Sequence, residues 1–218
     1  MKLKYKIATG ALAAALVGGG CAGINMLGSK DAETYLSDKY KIEFKAVDSV
    51  DDSKESEYKA YCFKDENDRQ LEVREAEDNN FSDNYGAFLF DNDSQIAIQT
   101  FFGDDYKVFV STKNQFFGSE EAFTGYAEYT KACDFVRISI LVTHNDDKDV
   151  NLDAIAKLLS DYNKDKGIEF QALVAVVSPE GFESISNYDH IPSEYIVAVD
   201  SFSLTRENQL SKASWERG

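Results

Sequence analysis

The chain has 218 residues, of which 39 are acidic and 23 are basic, and its formal net charge at pH 7 is −16. This charge excludes ordinary nucleic-acid binding, which depends on Lys and Arg neutralising phosphates, and it excludes electrostatic attachment of the body to an anionic lipid surface. The 15 Phe and 12 Tyr supply enough apolar surface for a packed core, so we do not expect a disordered chain.

The first 28 residues differ in character from the rest of the chain. Lysines at positions 2, 4 and 6 precede an uncharged run from Ile7 to Gly28, and this run contains Cys21. A basic start, an apolar segment and a small-residue exit are the parts of a secretory signal. The stretch resembles a bacterial lipoprotein signal, of the kind carried by small uncharacterised surface lipoproteins. This resemblance implies cleavage after Gly20 and attachment of a lipid to Cys21.

Two other interpretations of this stretch stay open. The uncharged run is long enough to cross a bilayer, whose core needs about 20 residues, so residues 1–28 could form an uncleaved anchor with a cytoplasmic N-terminus. Cleavage at Gly20-Cys21-Ala22 could instead release a soluble product. All three interpretations place the body of the protein outside the cytoplasm, and the first two hold it at the cytoplasmic membrane.

The first half of the body is predicted to be a helix followed by an antiparallel meander. Apolar residues at helical spacing indicate a helix from Ser29 to Tyr40. Alternating apolar and polar residues, separated by polar turns, indicate strands at 41–50, 58–64 and 70–76. Residues 81–102 fit either a helix or a hairpin with strands at 87–90 and 96–101, and we favour the helix.

The second half mixes strands with amphipathic helices. Helices are predicted at 119–132 and 152–166, and Gly167 ends the second of them. Strands are predicted at 106–112, 135–143, 170–177 and 195–204. Because strands cluster between helices without strict alternation, the sequence predicts an α+β fold with a mostly antiparallel sheet and amphipathic helices packed on one face.

The domain plan follows from these elements. We expect a signal peptide at 1–20 (or an anchor to 28), a tether at 21–30, a single α+β domain at 31–204 and a polar C-terminal tail at 205–218. A subdivision into two similar halves near residues 103–113 is the alternative to one compact domain.

Two sets of residues suggest a disulfide and a metal site. Cys62 and Cys133 are both flanked by aromatic residues, and export would permit a disulfide between them, although free Cys is also commonly buried. Oxygen-bearing residues at every second position, as in a calcium loop, occur at Asp147, Asp149, Asn151 and Asp153. Helix capping explains the same residues without a metal. Calcium is the one cofactor that the sequence suggests.

No catalytic signature is present in the sequence. His144 and His190 are not at a two-His metal spacing, and Gly-x-Ser-x-Gly is absent. We therefore expect a membrane-tethered, extracytoplasmic binding protein without catalytic activity of its own, whose partner is a protein or an envelope ligand. The alternative is a carboxylate-dependent hydrolase that acts on cell-envelope material, with two carboxyl groups that meet only in space.

Overall fold

The fold is α+β, as the order of elements predicts. The computed structural model describes residues 29–47, 58–76, 80–119, 121–143, 150–186 and 191–212. Within these ranges the chain forms five α-helices and nine strands, and the strands make one four-stranded and one five-stranded sheet.

The four-stranded sheet is an antiparallel meander that follows the first helix. Its elements are α1 (Ser29–Tyr40), β1 (Lys45–Ala46), β2 (Lys59–Lys64), β3 (Gln70–Glu75) and β4 (Phe81–Asp83). The strands lie in the order β1-β2-β3-β4, and each pairs with the next. In the turn between β2 and β3, Asp68 has φ 58°, a left-handed conformation that Asp tolerates better than most residues.

The core of this sheet is built from aromatic and aliphatic side chains. Leu36 of α1 and Tyr85 belong to one buried cluster with the inward residues of β2 and β3. Phe44 and Tyr85 stand edge to face, with 5.1 Å between ring centroids. The aromatic richness of the sequence is therefore used largely for packing in this half of the chain.

The five-stranded sheet contains most of the remaining chain. Its helices are α2 (Gly86–Phe102), α3 (Tyr126–Ala132), α4 (Leu152–Asn163) and α5 (Pro179–Ser184). Its strands are β5 (Tyr106–Ser111), β6 (Val136–Thr143), β7 (Phe170–Val177), β8 (Ile196–Leu204) and β9 (Leu210–Lys212), in that spatial order. β6 and β7 are parallel and are joined through α4, whereas the other neighbouring pairs are antiparallel.

Alternate residues of the central strands lie in two different clusters. Phe170, Ala172 and Val174 of β7 belong to the main core, which also contains buried residues of α2, α3 and α4. Ala175 and Val177 belong to a smaller cluster that includes Ile185, just after α5. Because both sides of β7 contribute to buried clusters, its nearly continuous apolar sequence is explained by burial on two faces.

The structure corrects several details of the predicted elements. The helix favoured for 81–102 is confirmed against the hairpin, but it begins at Gly86, since Phe81–Asp83 pairs with β3. The helix predicted for 119–132 is confined to α3. Leu210–Lys212, in the predicted polar tail, forms a strand on β8. The two sheets are not similar halves, because only the second contains a parallel pair and a crossover helix.

Candidate functional site

The bridge suggested between Cys62 and Cys133 is not formed. Cys133 is a free, buried thiol at the end of α3 in the core of the five-stranded sheet, whereas Cys62 is a buried residue of β2 in the other sheet. Burial raises the pKa of the Cys133 thiol to about 12, with the charge of Asp91 as a second cause. The thiol is therefore neutral at physiological pH and unsuited to nucleophilic chemistry.

The calcium-like sequence pattern is only partly within the described residues. Asn151 caps α4, because its side-chain oxygen accepts a hydrogen bond from the Ala154 N–H at 3.1 Å. Asp153 lies in the first turn of the same helix. Asp147 and Asp149 lie outside the described residues, as do His144 and His190. Among the residues that are described, no group of three or more His, Cys, Asp or Glu is arranged to hold a metal ion.

A buried ion pair joins α1 to β4 and to the loop that follows β5. The Lys39 ammonium lies 2.7 Å from an oxygen of Asp83, and both side chains are almost completely inaccessible to solvent, at 1% and 0% exposure. Lys39 also donates to the backbone oxygen of Phe117 at 3.0 Å, and Tyr40 donates to the second Asp83 oxygen at 2.8 Å. Because the charges are paired, hydrogen-bonded and sealed from solvent, this cluster is structural and not a ligand site.

The carboxyl group of Asp91 is the one most relevant to the hydrolase alternative. Burial raises its pKa to about 6. Its two oxygens accept hydrogen bonds from the Thr112 N–H at 3.0 Å and from the Thr112 hydroxyl at 2.6 Å. These bonds hold the end of β5 against α2. Asp91 thus has a structural use that accounts for its position without catalysis.

Asp91 is the first of three residues by which α2 closes one edge of the five-stranded sheet. Gln95 Oε1 accepts from the Val110 N–H at 3.3 Å, and Gln99 Oε1 accepts from the Val108 N–H at 2.8 Å. The spacing of these side chains along α2 matches the spacing of the amides along β5, since four residues of helix rise about 6 Å and two residues of strand rise about 6.6 Å.

This ladder of side chains takes the place of a neighbouring strand on β5. Gln99 completes it by donating from Nε2 to the Tyr106 carbonyl at 2.9 Å. The outward amides of Val108 and Val110 and the Tyr106 carbonyl are therefore bonded within the chain, which closes this edge to an added strand. Sequence reasoning missed the ladder, although its signal was visible as polar residues spaced four apart on a helix that leads into a strand.

At the opposite edge of this sheet, the described residues include no such ladder of helix side chains. β9 pairs only with Phe202–Leu204, the last three residues of β8. The preceding stretch, Ile196–Ser201, pairs with β7 on one side, and on its other side it pairs with no strand of the described ranges. We call Ile196–Ser201 the open edge. At about 3.4 Å per residue it is about 20 Å long.

The open edge is apolar and exposed. Val197 is 51% exposed and Val199 is 38% exposed, and both are among the most exposed large apolar residues of the described chain. Sheet edges are usually protected by Lys, Pro or a bulge that twists them away from other chains. The open edge contains neither Lys nor Pro, and its register irregularity, opposite Val176 and Val177, faces β7. These features suit an edge to which another strand can be added.

Comparison with protein-family models, curated proteins and solved structures finds no match to the chain. The stretch that resembles a lipoprotein signal, including Cys21, lies outside the described residues. No helix of the ranges that the structure describes has both the length and the apolar character needed to cross a membrane.

Proposed function

We propose that this chain is a membrane-tethered, extracytoplasmic binding protein that holds an extended polypeptide segment on the open edge of β8 and performs no chemistry of its own. The observation that carries the proposal is the contrast between the two edges of one sheet. α2 satisfies outward amides of β5 with side chains, whereas within the described residues Val197 and Val199 are exposed on an edge that no other strand covers. The Ser201 N–H at the end of this edge donates to Asp200 Oδ1 at 2.8 Å.

Strand addition provides both affinity and selectivity at such an edge. An added strand forms main-chain hydrogen bonds with the edge, and its alternate side chains contact the side chains of the receiving strand. Val197 and Val199 offer apolar contacts of this kind, and burying exposed apolar area contributes roughly 25 cal/mol per Å². The partner that this favours is a polypeptide at the cell surface, presented in an extended form.

The tether is proposed from the N-terminal sequence. The lysines at positions 2, 4 and 6 and the run from Ile7 to Gly28 support export, and Cys21 is the proposed site of lipid attachment. An N-terminal helix left in the membrane would hold the body at the same surface. Intact mass of the membrane-fraction protein, beside a Cys21→Ala variant, separates these cases. Loss of residues 1–20 with a diacylglycerol-sized addition supports the lipid, and an unmodified full-length mass in both proteins contradicts it.

The binding mode is tested with a pair of labelled hexapeptides. The first is the neutral strand-forming peptide Thr-Ser-Val-Thr-Val-Thr, and the second has the same sequence with alternate backbone amides N-methylated. Fluorescence polarisation with the full chain in mild detergent should show saturable binding of the first peptide and at least about tenfold weaker binding of the second, because N-methylation removes main-chain donors.

A matched pair of variants locates the contact. Val199→Lys places on the open edge a positive charge of the kind that protects natural sheet edges, and it should weaken binding of the neutral peptide. Ile96→Lys adds the same charge at an exposed apolar position of α2 and should leave binding unchanged. Equal binding of the plain and methylated peptides, or equal effects of the two variants, would contradict strand addition at this edge.

A further inference from the structure

The stretch of sequence that contains the open edge has acidic residues but no basic ones. From Gly167 to Thr205 it contains no Lys or Arg, whereas acidic residues occur at positions 169, 180, 183, 189, 194 and 200. This stretch forms β7, α5, the short 3-10 turn Ser193–Tyr195 and β8. The charge asymmetry is therefore concentrated around one strand and its immediate connections.

The topology places three of these acids, Glu180, Glu194 and Asp200, near the open edge. Val177 at the end of β7 pairs with Ile196 at the start of β8, so both strands meet the segment from α5 to Glu194 at this end of the sheet. Glu180 and Glu194 are exposed there, since the Ser178 N–H at the start of α5 donates to the Tyr195 carbonyl at 2.9 Å. Glu183 lies further along α5, where its carbonyl accepts from Lys107 of β5 at 3.3 Å. Asp200 lies within the open edge itself and is half-buried.

The basic residues that bound the stretch are engaged elsewhere. Lys166 donates to the Tyr162 carbonyl at 2.6 Å. Arg206 donates to the backbone oxygens of Lys131 and Cys133 at 2.9 and 2.7 Å. Both residues lie toward the end of the sheet where Phe170 pairs with Leu204, away from Ile196. Two other lysines lie nearer: Lys107 donates to the Glu183 carbonyl at 3.3 Å, and Lys212 of β9 is opposite Phe202, beyond the Ser201 end of the open edge. The acidic surrounding is therefore at the Ile196 end of the open edge, where Glu180 and Glu194 lie.

We propose that the occupant of the open edge is an extended, cationic segment of a partner protein, in which Val-like residues alternate with Lys or Arg. This inference rests on the proposed function and adds the chemistry of the partner. An opposite-charge pair on adjacent strands is favourable and a like-charge pair is unfavourable, so the acids select for basic residues at the cross-strand positions. Exposed valines select for aliphatic residues at the positions between them.

An antiparallel partner strand would extend the pattern of the neighbouring β9. β9 runs antiparallel to β8 and reaches Lys212 opposite Phe202, next to Ser201 at the end of the open edge. A partner that continues along this line is antiparallel to β8, an arrangement with linear interstrand hydrogen bonds. Its basic residue opposite Asp200 and its aliphatic residue opposite Val199 then point to different faces of the sheet.

A second copy of this chain fits the edge less well. Two copies would bring together two bodies of net charge −16 and two acidic surroundings, which repel each other at moderate ionic strength. A basic partner gains from the same field, and its association is accelerated by electrostatic steering.

Two charged hexapeptides test the inference on the full chain. The basic probe is Thr-Lys-Val-Lys-Val-Thr, and the acidic probe replaces both Lys with Glu. At about 50 mM salt the basic probe should bind about tenfold more tightly than the acidic probe, and the ratio should shrink toward about twofold at 500 mM as the charges are screened.

Paired variants identify the acids responsible. Asp200→Asn with Glu194→Gln should weaken the basic probe about threefold to fivefold and strengthen the acidic probe. Glu66→Gln with Asp93→Asn removes the same charge from exposed positions in the β2–β3 turn and on α2, so it should leave the ratio of the two affinities almost unchanged. A similar loss of discrimination in both double variants would overturn the role assigned to the open edge.

The outcomes separate this inference from the proposed function. If both charged probes bind equally and lose affinity on N-methylation, strand addition stands and the cationic partner is refuted. If neither the charged nor the neutral probes bind, both proposals fail. If the basic probe binds only after residues 213–218 are deleted, a segment of the chain itself is the occupant. If sedimentation shows dimers that Val199→Lys dissociates, the occupant is a second copy. Either of these last two results overturns the inference.

Discussion

Asp91→Asn is predicted to change the pH dependence of stability in a specific direction. The side chain is largely buried between α2 and the end of β5, and burial raises its pKa to about 6 from a model-peptide value of 3.8. The folded chain therefore binds a proton at this site more tightly than the unfolded chain does. Its contribution to stability is complete below pH 3.8 and is lost as the pH rises through about 6.

The magnitude follows from the two pKa values. At 1.36 kcal/mol for each pH unit, the interval from 3.8 to about 6 corresponds to about 3 kcal/mol. The neutral Asn avoids this loss, and its carbonyl oxygen can still accept from the Thr112 N–H while its amide donates to the Thr112 hydroxyl. We therefore expect the free energy of unfolding of Asp91→Asn, relative to the parent chain, to rise by about 2 kcal/mol between pH 4 and pH 7.5, because part of the full difference has already developed at pH 4.

Urea unfolding followed by circular dichroism at several pH values measures this difference. Subtracting the parent chain removes the contributions of other groups, including Asp65, whose pKa is lowered by hydrogen bonds from Tyr85 and Arg69. Asp93→Asn, at an exposed position two residues further along α2, should give a difference that does not vary with pH. A constant or falling difference for Asp91→Asn would refute the assignment of a buried, destabilised carboxylate.

Three further predictions concern buried contacts within the described chain. Lys39→Met should lower the free energy of unfolding by about 3–5 kcal/mol at pH 7, because it leaves the Asp83 carboxylate buried without a counterion, and adding Asp83→Asn should restore part of the loss in the same urea assay. Gly86→Ala should cost about 1–3 kcal/mol, because a Cβ there would stand 2.4 Å from a ring carbon of Tyr129, and a lowered thermal midpoint would report it. Cys133 should resist iodoacetamide in the folded chain and react after unfolding, as mapped by peptide mass; rapid native labelling would contradict its burial.

Sequence patterns predicted the elements that are defined by the order of apolar and polar residues within the element itself. Alternation identified β2, β3 and β6, and the continuous apolar run identified β7, because these patterns reflect the faces that each strand buries. β9 was missed, since a three-residue polar segment becomes a strand only through its pairing with Phe202–Leu204. The start of α2 was misplaced for the same reason, because pairing with β3 draws Phe81–Asp83 into the sheet.

The candidate site was less visible in the sequence than the fold. Tyr61 and Phe63, the aromatic neighbours of Cys62, belong to the core of the first sheet, whereas Cys133 is a free thiol in the core of the second. Whether an edge is sealed depends on which elements lie beside it in space. The Asp91, Gln95 and Gln99 spacing could have indicated the sealed edge, whereas the exposure of Val197 and Val199 required the strand order.

Amide hydrogen exchange of the full chain, measured by NMR, tests the open edge most directly. In the free protein, the outward amides of Val197 and Val199 should exchange much faster than the amides of Val108 and Val110, which donate to side chains of α2. The Ser201 amide is left out of the comparison because it donates to Asp200 Oδ1. Adding the basic hexapeptide should slow exchange at alternate amides of the open edge and leave β5 unchanged. Equally slow exchange at both edges of the free chain, or no protection of β8 by any of the peptides, would contradict the proposed binding edge.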